Sequence, residues 1–193
     1  MIRKASRQDL DGIVSILKSI GHAVKDPAQG FLMADYTKDE ALYRQKYAQD
    51  LSLSPYAYVY DNNDKIEAFL LAYPLEYWLK KEPDWLEAVY WHPQFDKDLL
   101  KTSVLIYQTA MYPQLTGKGI GSQIYQQLLP DLQQNGITTM LAETVIAPIP
   151  NLASLNFRIK QKYDLAGMRY ETFENTVYTT LVYSKDLTAY NMR

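Results

Sequence analysis

The fold of this chain is decided by the stretch Met111-Tyr112-Pro113-Gln114-Leu115-Thr116-Gly117-Lys118-Gly119-Ile120-Gly121. It joins an apolar run typical of a β-strand, Ser103 to Met111, to a helical pattern that begins near Ile120. Glycine lets a backbone approach a ligand closely, and the N–H groups at the start of a helix favour an anion. The stretch therefore predicts either a phosphate-binding turn or a tight strand-to-helix turn without a ligand.

Two common phosphate-binding motifs do not fit this turn. A P-loop has Ser or Thr directly after its Lys, whereas Gly119 follows Lys118 here. A dinucleotide-binding fingerprint has the pattern G-x-G-x-x-G, and Ser122 stands where its third glycine would be. The sequence therefore predicts neither a P-loop nor a dinucleotide-binding fold.

The same stretch resembles the acetyl-CoA-binding motif of the GCN5-related N-acetyltransferase (GNAT) superfamily. In that family a strand with a proline near its end leads into a Q/R-x-x-G-x-G/A loop and a helix. Gly119 and Gly121 match the two small residues, and Thr116 stands where Gln or Arg is usual. The resemblance implies that acetyl-CoA binds here, and that the strand end near Met111 supplies a backbone N–H to the thioester oxygen. The binding residues that it implies are Met111, Thr116, Gly117, Lys118, Gly119, Ile120, Gly121 and Ser122.

The resemblance extends over most of the chain. Ile2-Arg3-Lys4-Ala5 is similar to the opening strand of the family, and Tyr58-Val59-Tyr60 and Ile66-Glu67-Ala68-Phe69 are similar to its second and third strands. The predicted element order is β-α-α-β-β-(insertion)-β-α-β-α-β-β. The resemblance implies the GNAT fold: α/β (α+β by some schemes), with a central mixed, mostly antiparallel sheet of about seven strands flanked by helices. We expect one domain over residues 1–193, with an irregular aromatic-rich insertion at about 74–101 that contains a short helix near Pro83 to Val89.

Local sequence also predicts how the first two helices begin. Ser6 lies three residues before Asp9, which is the spacing of a capping box. Thr37 precedes the second helical pattern and is expected to cap it. The first helix is expected to end at Gly21.

A second cofactor-facing motif of the family is similar to Asn151-x-x-Ser154-x-x-Phe157. In this register the helix begins directly after Pro150, where Asn is a favoured first residue. Arg158 then stands where the family usually has a proton-donating Tyr. The register implies Asn151 and Ser154 as further cofactor-binding residues.

A second, equally gapless register remains open. It places Asn156 and Tyr163 on the Asn and Tyr positions, with Gly167-Met168 where Gly-Phe is usual. It implies Asn156 as a cofactor-binding residue and Tyr163 as the acid that protonates the departing thiolate. The helix start after Pro150 favours the first register.

The activity implied by the resemblance is acetyl transfer from acetyl-CoA to an amine of a small molecule or peptide. The chain has no cysteine, so a cysteine-bound acyl-enzyme is excluded and direct transfer in a ternary complex is expected. An amine with a pKa of about 10.4 must lose a proton to a base. The candidate bases are Glu143, on the strand after the cofactor helix, and Glu76, Glu87 and His92 in the insertion.

Two features favour an alternative, a non-catalytic acyl-CoA-binding or interaction module of the same fold. Thr116 departs from the usual Gln or Arg, and Arg158 replaces the usual Tyr.

An aromatic cluster in and beside the insertion also has two interpretations. It is either a packing or homodimer surface, or a wall of the acceptor pocket that holds a cation. Its members are Tyr73, Tyr77, Trp78, Trp85, Tyr90 and Trp91.

Composition excludes several other classes of protein. The 193 residues carry 20 Lys+Arg and 22 Asp+Glu, a net charge of -2, which argues against nucleic acid as a partner. With no cysteine and only His22 and His92, far apart in sequence, no metal site is predicted. No apolar signal core or membrane span is found in the sequence, so no membrane association and a cytoplasmic location are expected.

Overall fold

The computed structural model describes residues 1–22 and 24–188. Within these residues the backbone forms eight strands and six α-helices. In chain order they are β1 (Ile2–Lys4), α1 (Leu10–Ile20), α2 (Glu40–Leu53), β2 (Tyr56–Asn62), β3 (Lys65–Pro74), α3 (Leu75–Lys81), α4 (Trp85–Ala88), β4 (Tyr90–Trp91), β5 (Ser103–Met111), α5 (Ile120–Gln134), β6 (Thr139–Ala147), α6 (Leu152–Lys160), β7 (Asp164–Phe173) and β8 (Thr176–Asp186).

The chain divides into two compact units. Unit 1 comprises Met1–Ala72 and Gln108–Leu128, and unit 2 comprises Tyr73–Tyr107 and the described residues from Leu129 onward. The prediction of a single domain over residues 1–193 stays a prediction.

Unit 1 contains the strand order β1-β2-β3-β5, with the C-terminal part of β5. β1 pairs with β2, and β2 with β3, both antiparallel. The helix α1 turns its apolar face, which includes Ile13, Ile16 and Leu17, into the core of this unit. Tyr47 of α2 is fully buried, and its ring lies 6.1 Å from that of Phe69 on β3. These side chains form the core of unit 1.

Unit 2 contains the strand order β5-β6-β8-β7-β4, with the N-terminal part of β5. β5 and β6 are parallel, and their register runs from Ser103↔Thr139 to Ile106↔Ala142. β6 pairs with β8, β8 with β7, and β7 with β4, all antiparallel. A mixed, mostly antiparallel arrangement of strands with helices, as predicted from the sequence, is confirmed.

The segment 74–101 is more regular than the sequence indicates. The short helix expected near Pro83 to Val89 is found at Trp85–Ala88, but α3 at Leu75–Lys81 was not predicted. β4 is the strand beyond the predicted seven, and it pairs Tyr90 with Met168 and Trp91 with Gly167. A two-residue strand has no detectable alternation of its own, so only its pairing with β7 defines it.

One helix start is predicted correctly and the other is wrong. The Ser6 and Asp9 capping box is present; it opens a 3-10 turn that leads into α1. Thr37 does not cap α2, because its hydroxyl donates to Asp35 at 2.6 Å. Asp39 is the cap instead, and its carboxylate accepts from the Leu42 N–H at 3.0 Å. Asp is as good a cap as Thr or better, and the sequence alone does not choose between candidates two residues apart.

Candidate active site

The Gly-rich turn of unit 1 has an open backbone. Gly117 and Gly119 have φ angles of +81° and +85°, a region that side chains disfavour, and a Cβ built on either would meet no atom within 4 Å. α5 begins at Ile120, and its first ladder bond runs from the Gln123 N–H to the Gly119 carbonyl at 3.1 Å. The start of an α-helix carries a partial positive charge from its first N–H groups, and in α5 this end follows directly on the two glycines. The turn has the shape and polarity of an anion cradle.

The residues beside these glycines are held by the protein itself. The Thr116 hydroxyl donates to the Gln29 carbonyl at 2.9 Å, so this hydroxyl binds another loop of unit 1. The Lys118 side chain is exposed, and its backbone N–H donates to Leu115 at 3.2 Å. Met111 is the last residue of β5. The predicted residues from Met111 to Ser122 thus lie together by chain continuity, around the two left-handed glycines.

Asn151 and Ser154 lie together in unit 2. Asn151 is the cap of α6, and its side chain accepts from the Ser154 N–H at 3.1 Å. Its own N–H donates to the Val145 carbonyl at 2.9 Å, and the Ser154 hydroxyl shares a hydrogen bond of 3.0 Å with Thr144. The start of α6 is thereby fixed to β6. Asn156 does not join this group, because it is exposed in the middle of α6.

Backbone geometry favours the first of the two registers. In that register Lys162 stands where the family usually has Gly, and its φ is +56°, in the left-handed region. Gly167, the glycine of the second register, lies inside β7. Its small size has a packing reason, since a Cβ there would lie 2.8 Å from the Tyr90 carbonyl of β4. Arg158, in the position of the usual Tyr, is buried.

Tyr163 follows α6 and is buried. The Arg158 guanidinium lies 5.3 Å from the centre of its ring, and the Lys185 ammonium lies 5.8 Å from it. Burial raises the pKa of the Tyr183 phenol, and the charge of the same Arg158 opposes that rise. The charged groups of Arg158 and Lys185 therefore both lie near the Tyr163 ring.

Glu143, the predicted base, is held in an ion pair. Its Oε1 accepts from Arg169 Nε at 2.6 Å and from the Trp85 indole at 2.9 Å, and its Oε2 accepts from Arg169 Nη2 at 3.2 Å. The other candidates Glu76, Glu87 and His92 are all exposed. Of these four candidates, Glu143 is the one whose carboxylate forms hydrogen bonds with both Arg169 and Trp85.

Arg169 and Glu171 belong to the same network, and sequence reasoning missed both. Arg169 Nη2 donates to Glu171 at 2.9 Å. Burial raises the pKa of the Glu171 carboxyl, Arg169 opposes this rise and the Glu143 carboxylate adds to it. Burial alone would lower the pKa of Arg169, but the carboxylates of Glu143, Glu171 and Glu82 together outweigh burial and raise it. The available signal was the spacing of residues 169 and 171, which puts two charged side chains on one face of a predicted strand.

The predicted aromatic cluster divides into separate groups. The first is buried around Tyr73, whose ring stacks with Tyr77 and Trp78 and contacts Tyr107, and the Lys81 ammonium lies 4.6 Å from the Tyr73 ring centre. A second joins Trp91 to Trp85 and Phe95, and a third joins the exposed Tyr90 to Tyr170. Packing accounts for the first group, while Trp85 reaches the Glu143 network.

Comparisons with known proteins bear on the fold. No protein-family model matches the sequence, and neither does any curated protein. Solved structures do match. An N-acetyltransferase from Staphylococcus aureus Mu50 is 18% identical, with 97% of this chain and 98% of that chain covered and a TM-score of 0.61. The ribosomal-protein-S18-alanine N-acetyltransferase from Escherichia coli is 14% identical, with 97% and 93% covered and a TM-score of 0.62.

A third structure, yncA from Salmonella typhimurium with its cofactor acetyl-CoA, is 15% identical, with 100% of this chain and 96% of that chain covered and a TM-score of 0.63. The chain has the GCN5-related N-acetyltransferase fold. In this GNAT fold the Gly-rich turn, α5, β6 and α6 follow one another in the order that the sequence resemblance implies.

Two kinds of feature are absent from residues 1–22 and 24–188. In this part of the chain no helix has both the length and the apolar character that a membrane crossing requires. In the same residues no group of three or more His, Cys, Asp or Glu side chains is arranged to hold a metal ion.

Proposed function

We propose that this protein is an acetyl-CoA-dependent N-acetyltransferase that moves the acetyl group directly to an amine of a small molecule or peptide. The observation that carries the proposal is the turn at Gly117 and Gly119. Two left-handed glycines with open space beside them precede the start of α5 in a GNAT fold. Glycine at both positions leaves the backbone of the turn accessible to an anion at the start of a helix.

The residues of the turn fit the donor substrate. Backbone N–H groups between Gly117 and Ser122, other than that of Lys118, would hold the pyrophosphate of acetyl-CoA, and the exposed Lys118 side chain adds a positive charge beside them. Met111 is proposed to donate its backbone N–H to the thioester oxygen. Asn151 and Ser154 are proposed as further contacts to the donor, with Asn156 as the residue of the less favoured register. The presence of acetyl-CoA in the related yncA structure supports this assignment.

Protons must move in the reaction. The acceptor nitrogen loses protons, and the departing CoA sulfur gains one. Tyr163 is proposed as the acid, as the second register implies, and Tyr163→Phe is then expected to lower kcat at least about tenfold while leaving the Kd for CoA unchanged. Equal losses in kcat and in CoA affinity would instead indicate a packing role.

Glu143 was predicted as the base, but both of its oxygens already accept hydrogen bonds.

The experiment for the proposed activity measures free thiol released from acetyl-CoA in the presence of polyamines, amino acids, aminoglycosides and peptide N-termini. We expect thiol release that depends on one class of amine and a matching acetylated product by mass spectrometry. A reaction without amine controls for hydrolysis. Binding of CoA with no turnover on any amine would contradict an enzymatic function.

The alternative is a non-catalytic acyl-CoA-binding module. It is favoured by the ion pair that engages Glu143 and by Arg158 in the place of the usual Tyr. Thermal stabilisation by CoA without turnover would support this module, and no stabilisation at millimolar CoA would contradict both functions. A cytoplasmic location and a homodimer stay predictions from the sequence.

A further inference from the structure

Gln108 is a nearly buried amide on the strand that leads to the Gly-rich turn of unit 1. It lies on β5, three residues before Met111, and is 8% exposed. Its Oε1 accepts a hydrogen bond from the Tyr47 hydroxyl of α2, and within residues 1–22 and 24–188 its side chain makes no other hydrogen bond. Both N–H groups of Gln108 Nε2 are therefore without an acceptor in this part of the chain.

This N–H2 group is not sealed in the core of unit 1. Fully buried side-chain atoms that lack a hydrogen-bond partner do occur in the described residues, and Thr109 Oγ1 on the same strand is one of them. Gln108 Nε2 is not among these atoms, so part of the small exposure of Gln108 belongs to it. A nearly buried donor without an acceptor is unfavourable until an oxygen binds it. Gln108 thus presents a donor that a ligand oxygen can occupy.

Two tyrosines determine which end of the amide faces outward. Tyr47 has a single hydroxyl hydrogen and gives it to Gln108 Oε1, so the Tyr36 hydroxyl is the donor in its 3.2 Å hydrogen bond with Tyr47. Tyr47 is fully buried and Tyr36 is 5% exposed. The hydrogen bonds therefore run from Tyr36 through Tyr47 to Gln108, and they keep Oε1 inside and Nε2 outside.

The first member of this chain of hydrogen bonds is itself held by close packing. The Tyr36 N–H donates to the Gly21 carbonyl at 2.5 Å, and a Cβ built on Gly21 would lie 2.2 Å from Cδ2 of the Tyr36 ring. The centre of this ring lies 4.2 Å from that of Tyr43 and 6.2 Å from that of Tyr47. A closely packed ring has few alternative rotamers, so the network holds the Gln108 amide in one orientation.

Gln108 is connected to the Gly-rich turn in two ways within unit 1. Met111, at the end of β5, is three residues further on, roughly 10 Å along an extended strand. The segment 24–36 also contacts both places: it accepts a hydrogen bond from the Thr116 hydroxyl at 2.9 Å, and it ends at Tyr36, the first member of the network. A small molecule that reaches the end of β5 can therefore also reach the Gln108 amide.

We infer that Gln108 determines acceptor specificity: its Nε2 donates a hydrogen bond to an uncharged carbonyl oxygen of the amine substrate, and Tyr36 and Tyr47 are positioning residues for it. Because this role rests on the proposed acetyltransferase function, the expected substrates are amines that carry an amide or peptide carbonyl. An uncharged oxygen fits better than a carboxylate, since a nearly buried anion requires a charged partner and the Gln108 amide is neutral.

The test measures thiol release from acetyl-CoA with ω-amino amides of increasing chain length, beginning with glycinamide and β-alaninamide, and with alkylamines of equal length. For the wild type we expect kcat/KM to be at least about tenfold higher for one of the amides than for its alkylamine. Gln108→Glu retains an oxygen for the Tyr47 hydroxyl and loses the N–H2 donor. It is expected to raise KM for that amide at least about tenfold, while KM for the alkylamine and the Kd for CoA stay as in the wild type.

Further variants separate recognition from structure. Gln49→Glu makes the same change at an exposed position of α2 and is the matched control, expected to keep the wild-type preference for the amide. Tyr47→Phe removes the hydroxyl that orients Gln108 and is expected to reduce this preference, whereas a packing role alone would lower Tm and leave the preference unchanged. If Gln108→Glu does not fold, Gln108→Met, which is uncharged and of similar length, replaces it with the same expected result.

The outcomes distinguish the role of Gln108 from the proposed function. Thiol release by the wild type with amides and alkylamines at equal kcat/KM, or only with amines that lack a carbonyl, would overturn the role of Gln108 alone. A wild-type preference for the amide in Gln108→Glu, or in Gln108→Met where that variant replaces it, would do the same. Absence of thiol release by the wild type with every amine would overturn both.

Discussion

Thr116 Oγ1 donates a hydrogen bond to the carbonyl oxygen of Gln29 at 2.9 Å, and this bond ties the Gly-rich turn to the segment that precedes α2 within unit 1. The two residues are 87 positions apart in the chain. Thr116 is also the residue that departs from the usual Gln or Arg of the acetyl-CoA motif. Its hydroxyl thus serves to hold the turn in place.

Thr116→Val removes this hydroxyl at nearly constant volume. We expect amide hydrogen exchange in residues 24–36 to become faster and Tm to fall by about 1–2 °C, because the bond is exposed and worth about 0.5 kcal/mol. Thr116→Ser keeps the hydroxyl and is the control. Identical exchange rates in the two variants would show that the hydrogen bond does not order the segment.

Gly119→Glu places bulk and negative charge beside the proposed pyrophosphate site. We expect affinity for CoA to fall at least about tenfold in calorimetry, a loss of about 1.4 kcal/mol or more. Gly119→Ala controls for the strain of a side chain at a φ of +85°. Gly136→Glu adds the same group at another left-handed glycine with open space, at a φ of +72°. Unchanged affinity in Gly119→Glu would mean that the turn is not the anion cradle.

Asn151→Ala removes the side-chain acceptor that caps α6. A lost cap costs about 1 kcal/mol, so we expect a fall in Tm of about 2–4 °C by calorimetry. Asn151→Ser retains a capping oxygen and is expected to keep the wild-type Tm. A weaker affinity for CoA in both variants would support Asn151 as a donor contact, whereas a loss in Asn151→Ala alone would assign it to the cap.

Asp9 makes the stability of unit 1 depend on pH. Burial alone would raise its pKa, but hydrogen bonds from Arg3 and from Ser6 outweigh burial, and the pKa lies below the ordinary value of 3.8. A lowered pKa means that the unfolded chain binds more protons, so this stabilisation is present above about pH 4 and is lost as pH falls through the folded-state pKa. Asp9→Asn is therefore expected to lower the free energy of unfolding by about 2 kcal/mol at pH 7.

The difference between Asp9→Asn and wild type should shrink in urea titrations below about pH 4, where wild-type Asp9 takes up its proton. Asp11→Asn is the control, because Asp11 pairs with Arg44 while its side chain is 85% exposed. A pH-independent difference for Asp9→Asn would assign the effect to packing instead of ionisation.

Local patterns predicted most of the elements. The apolar run of Ser103 to Met111 and the capping box of Ser6 act over a few residues, so the sequence contains the whole signal. The Gly-rich turn is predictable for the same reason, because its left-handed backbone requires glycine locally. β4 has only two residues and Thr37 competes with Asp39 nearby, and in both cases local preference is too weak to decide.

By itself the sequence determined the order of the elements outside the segment 74–101, the Gly-rich turn before α5 and the absence of any cysteine chemistry. Only the tertiary structure decided that Glu143 pairs with Arg169, and that Glu171 shares the same guanidinium. The physical reason is register. A shift of one residue in the pairing of β8 with β6 or β7 would turn these side chains to the opposite face, and pairing between strands far apart in sequence is fixed by the packed core as a whole.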